Sequence, residues 1–101
     1  MEGLMMERTI EEKCRYLIAQ GEYDECKAEI EMAMKRSPDS PIPHNLLGIV
    51  YEKQYEKDKA LKHYRASYCL DPTYLPARRN MERLGTGDVS IAFAYTEKDC
   101  R

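Results

Sequence analysis

Two prolines constrain this chain more than any other feature. Pro38 and Pro72 lie 34 residues apart, and each closes a run rich in Ala, Lys, Tyr and Glu. Proline removes a backbone donor and clashes with the preceding turn, and it biases the residue before it away from helix. Two helices are therefore expected to stop at Ser37 and Asp71. Sliding the chain along itself by this offset pairs Gly21–Ala28 with Tyr55–Lys62, Ile30-x-x-Ala33 with Tyr64-x-x-Ser67, and Ser37-Pro38 with Asp71-Pro72. A period of this length fits a helix–turn–helix unit that cannot bury its apolar face alone and must stack on a neighbour. The expected helices span roughly 6–20, 22–36, 42–54, 57–70 and 74–84, with Pro41 and Pro43 tolerated in the first turn of the third.

The second copy carries a spaced pattern: His44-x-x-Leu47-Gly48-x-x-Tyr51, then Ala60-x-x-x-Tyr64, then Pro72. In residue type and register it resembles a tetratricopeptide repeat (TPR), with His for the leading Trp and Tyr for Phe. The first copy is looser, through Ile10, Lys13, Cys14, Leu17, Cys26, Ile30 and Pro38, and a third starts at Leu75 and stops at Gly85-Thr86-Gly87. The resemblance covers about residues 7–84 and extends to small stand-alone bacterial TPR proteins. It implies an all-α helix–turn–helix solenoid: a TPR-like domain over 1–84, with repeats near 7–40 and 41–74 and a capping helix at 75–84, followed by a tail at 85–101. Mid-helix Gly48 costs about 1 kcal/mol against Ala, so a close helix approach is expected there, with Ala60 facing it. In the first copy the equivalent pair is Cys14 and Cys26, which predicts two neighbouring thiols able to join on oxidation.

Beyond Gly87 the apolar period changes to two. Val89, Ile91, Phe93 and Tyr95 alternate with Ser90, Ala92, Ala94 and Thr96, which is a strand pattern. A lone strand in a helical chain has no ladder partner. Either the tail is flexible or lies as an extended strip over the helices, or Val89–Tyr95 pairs with its counterpart in a second molecule as a homodimer contact.

Composition narrows the function. Sixteen basic residues against 18 acidic ones give a net charge of −2, which argues against a general nucleic-acid or membrane-surface binder. No apolar run approaches the ~20 residues that span a bilayer, and the first residues lack a secretory pattern, so a cytoplasmic protein is expected. Cys14, Cys26, Cys69 and Cys100 form no Cys-x-x-Cys pair, and His44 and His63 show no ligand spacing, so no metal or other cofactor is expected. Phosphate-binding loops, nucleophile elbows and zinc-protease motifs are all absent from the sequence, which points to a non-enzymatic protein.

The TPR resemblance implies a scaffold whose first helices line a concave groove for a peptide or helix of a partner. By matched position the lining is Arg8, Glu11, Arg15 and Ile18, then Asn45, Ile49, Glu52 and Lys53, then Arg79 and Arg83. Basic heads over an apolar floor suit an acidic or C-terminal peptide. Chaperone carboxylate clamping does not fit, because Glu11 stands where that subgroup has Lys. The competing expectation is a self-associating module, dimeric through the fifth helix and the tail strand.

Overall fold

The computed structural model describes residues 8–88 and 90–100. Five helices follow one another: α1 (Ile10–Ala19), α2 (Tyr23–Arg36), α3 (Ile42–Lys53), α4 (Lys57–Leu70) and α5 (Leu75–Thr86). A 3-10 turn spans Glu97–Cys100, and there is no strand among the described residues. Each helix packs on its sequence neighbour, and α1 also touches α3. None of the described helices is long and apolar enough to cross a membrane.

Capping chemistry moves two of the expected boundaries. α1 starts at Ile10 rather than near residue 6, because Thr9 is extended (φ −67°, ψ 163°) and its hydroxyl oxygen accepts the Glu12 N–H at 3.2 Å. That bond satisfies one of the orphan donors of the first turn. α5 runs past Leu84 to Thr86, since Gly85 is tolerated as an ordinary helical residue with open space around it. The helix ends at Gly87, whose left-handed backbone (φ 69°) directs its N–H to the Arg83 carbonyl at 3.1 Å.

The 34-residue period reappears in three dimensions. α2 and α4 begin at Tyr23 and Lys57 and end at Arg36 and Leu70, the same offset at both ends. The turns before them share a left-handed residue, Gly21 (φ 76°) and Tyr55 (φ 64°). Their hydrogen bonds correspond too: Glu22 N–H to Leu17 O at 2.8 Å and Glu56 N–H to Tyr51 O at 2.9 Å. Glycine adopts this conformation freely, whereas the exposed Tyr55 holds it at a cost of about 1–2 kcal/mol.

The core joins Cys14, Ile18, Cys26 and Ile30 of the first pair to Leu46, Leu47, Ile49, Val50, Ala60 and Tyr64 of the second. Gly48 marks a close approach, and the atoms nearest to an added Cβ there belong to the Tyr64 ring. A Cβ on Gly48 would lie 2.5 Å from Tyr64 Cδ1. Tyr64 is fully buried, and its hydroxyl donates to Glu52 Oε1 at 2.9 Å. Cys14 and Cys26 are buried free thiols, and the neighbouring Cys26 thiol, then burial, hold Cys14 well above its ordinary pKa.

The tail corrects the strand expectation. Residues 91–95 carry neither helix nor ladder, and Ala94 and Tyr95 are both buried, which breaks the two-residue alternation. Ile91, assigned by that alternation to the paired face, is exposed at 38%. Phe93 is half-buried against the core cluster, and Val89 lies outside the described residues. The backbone groups of Ala94 bond to asparagine side chains of this same chain, so they are not free for a second molecule's strand.

Candidate functional site

The odd-numbered helices present one continuous face, and the tail lies across it. Two asparagines form its centre. Asn80 on α5 accepts the Ala94 N–H on Oδ1 at 2.9 Å and donates from Nδ2 to the Ala94 carbonyl at 2.9 Å. Asn45 on α3 donates to the same carbonyl at 3.0 Å and accepts from Asn80 Nδ2 at 2.8 Å. Both side chains are fully buried. A buried carboxamide without partners would be strongly unfavourable, so these two residues demand a polypeptide backbone or its equivalent opposite them.

Cations flank this centre. The Arg83 guanidinium lies 3.9 Å from the Phe93 ring centroid, and Lys53 Nζ approaches the same ring at 4.4 Å. Arg15 sits over the Tyr95 ring at 4.5 Å and pairs with Asp99 at 2.6 Å. Arg79 donates to the Cys100 carbonyl at 3.1 Å. Aromatic faces attract cations through their quadrupole, more strongly where water is excluded. Arg83 is 7% exposed and also forms a two-pronged pair with Glu52, both N···O distances being 2.5 Å. The Tyr64 hydroxyl meets the same Glu52 carboxylate, which joins the α3–α4 seam to the face that holds the tail.

Burial and charge set the protonation states. Burial pushes the Tyr95 phenol up to about 12. Partial burial of Asp99 works toward a higher pKa, but the amides of Tyr95 and Thr96 and the Arg15 charge hold it below the usual carboxylate value. Tyr74, immediately before α5, is buried with its hydroxyl unpartnered among the described residues, as is Arg83 Nε. Burial first, then the nearby charges of Glu11 and Glu97, raise the Tyr74 phenol.

The structure brings together Arg15, Ile18, Asn45, Glu52, Lys53, Arg79 and Arg83, with Ile49 fully buried in the core behind them. Glu11 is half-buried beside Tyr74 at one end. Arg8 does not join them. It precedes the Thr9 cap, so helical spacing does not apply to it, and it stacks on Tyr16 at 5.6 Å. There it lines a separate cleft of about 560 Å³ between α1 and α2.

Asn80 and Tyr74 were missed as lining residues. Asn80 shares a helix face with Ala77 and Leu84, and an amide inside that stripe was the available signal. His44 and His63 also meet, Nδ1 to Nδ1 at 3.2 Å, because the α3–α4 turn folds a separation of 19 residues back on itself. His63 in turn stacks on Tyr51 at 5.4 Å. Among the described residues no group of three or more metal-ligating side chains forms around them. No family model, curated protein or solved structure matches this chain.

Proposed function

We propose that this chain is a TPR-like helical-repeat module that holds a segment of another protein along the face shared by α1, α3 and α5, without catalysis. One observation carries the reading: Asn80 engages both main-chain polar groups of Ala94, and Asn45 reinforces the carbonyl. A face that grips the backbone leaves side-chain sites to supply selectivity, which is how extended peptides are generally read. The repeat assignment is supported by the 34-residue recurrence of the left-handed turn and of both ends of α2 and α4.

Panning random dodecapeptides on the full-length chain tests the reading. Selected peptides should lose binding to the Arg15→Glu/Lys53→Glu/Arg79→Glu variant. Equal binding to both proteins would place the ligand surface elsewhere and sink the proposal.

A further inference from the structure

We infer that the partner segment is non-helical and repeats the chemistry of this chain's own tail: an aromatic residue, a small residue, a second aromatic, then an acid four positions further on. This deepens the groove reading above and rests on it. The tail shows what each position must supply. Asn80 needs the N–H and C=O of a single residue at once, and a residue inside a helix has already committed both groups to its own ladder. Ala94 is 1% exposed, so only a small side chain fits at the gripped residue. The position before it faces Arg83 and Lys53, which select an aromatic ring over an aliphatic chain of equal size. The position after it enters the core cluster under Arg15. Arg15 also selects the acid, as it does Asp99.

The tail is fitted to be displaced. It is joined to α5 through the left-handed Gly87, and among its described residues the only regular structure is the four-residue turn at Glu97–Cys100. Ile91 and Ala92 are exposed, so the hold rests on Phe93, Ala94, Tyr95 and Asp99, with Arg79 on the Cys100 carbonyl beyond them. A tethered competitor acts at about millimolar effective concentration, so a free segment must match its chemistry to replace it at lower concentration.

The probe is a fluorescein-labelled peptide of residues 90–100 with Ser at the Cys100 position. It is titrated into the full chain and into full-length F93A/Y95A, whose own tail is weakened. A control peptide carries Ala at the positions of Phe93, Tyr95 and Asp99. The expected result is saturable binding to F93A/Y95A at least about 10-fold tighter than to the unaltered chain, as removal of a tethered competitor requires. The control peptide should bind at least about 10-fold more weakly, since its aromatic anchors and charge pair are gone.

Control binding as tight as the probe would overturn the chemistry assigned here while leaving the groove reading intact. Failure of the probe and of panned peptides to bind a folded F93A/Y95A would overturn both. Concentration-dependent dimers that exchange labelled tails would make a second copy the occupant and overturn the inference. Should F93A/Y95A fail to fold, probe titration into the ¹⁵N-labelled unaltered chain decides. Support requires the Ala94 amide to move to its free-peptide position while the Asn45 and Asn80 side-chain amides keep their bound ones. An Ala94 amide that stays fixed at saturating probe overturns the inference.

Discussion

Gly48→Ala is the sharpest test of how the helices approach each other. In an unobstructed helix interior this change is favourable by about 1 kcal/mol. Here the added methyl would sit 2.5 Å from Tyr64 Cδ1 and 3.1 Å from Cζ, where ordinary contact begins near 3.4 Å. The ring must therefore shift by roughly 1 Å, but it is fully buried and tethered through its hydroxyl to Glu52. Overpacking of this kind costs about 1–3 kcal/mol, and a weakened hydrogen bond to a charged acceptor adds about 1.5–3 kcal/mol. After the propensity gain the net loss is about 1.5–5 kcal/mol, or a fall of roughly 6–40 °C in Tm for a domain of this size. Urea unfolding followed by circular dichroism at 222 nm measures it, with an unchanged m-value marking a change in stability alone. Gly85→Ala is the internal control: a Cβ there meets nothing within 4 Å, so the same substitution should stabilise by up to about 1 kcal/mol. If Gly48→Ala is as stable as the unaltered chain, the ring yields freely and the close approach is not what requires glycine.

Other outcomes follow from the same geometry. Glu52→Gln leaves Arg83 buried without its counter-charge and should destabilise by about 3–5 kcal/mol, whereas Glu52→Gln/Arg83→Met should recover much of that in thermal unfolding. Tyr55→Gly relieves a left-handed tyrosine that is 91% exposed, and the gain in urea should be about 0.5–1 kcal/mol after the added unfolded-chain entropy. Burial lowers the pKa of His44 and of His63, and for His63 the neighbouring His44 adds to it, while Lys27 and Lys59 lie over the Tyr51 ring that stacks on His63. A depressed histidine means stability present above the unfolded value of about 6.5 and lost as pH falls through the folded one. Urea midpoints should therefore drop from pH 7 to 5, and a His44→Phe/His63→Phe variant should flatten that slope.

The parts of this fold that were legible in the sequence are those that local chemistry decides. Pro38 and Pro72 stop helices wherever they occur, so α2 and α4 end where the period placed them. Asn45, Lys53 and Arg83 were legible as a face because α3 and α5 keep helical spacing throughout. Arg8 was misplaced because a capping threonine at position 9 puts it outside the helix. The tail was harder: alternation at Ile91, Phe93 and Tyr95 reports β-propensity, but a pair of buried carboxamides can replace a ladder strand, and no local pattern announces that. Asn80, an amide in the stripe with Ala77 and Leu84, gains its meaning only when the tail is laid beside it. The His44–His63 contact depends on how tightly the α3–α4 turn closes, which is a property of packing.

Arg83 has a consequence that reaches beyond the pairings it makes. One guanidinium is shared between the Glu52–Tyr64 seam and the Phe93 ring, so whatever occupies the groove also acts on the junction between α3 and α4. Free energies of this kind are reciprocal. An occupant that holds Arg83 more firmly adds to folding stability, and a loosened seam weakens the hold on it only through Arg83. Folding stability and the hold on the tail are thus two coupled equilibria, with Arg83 as the element they share.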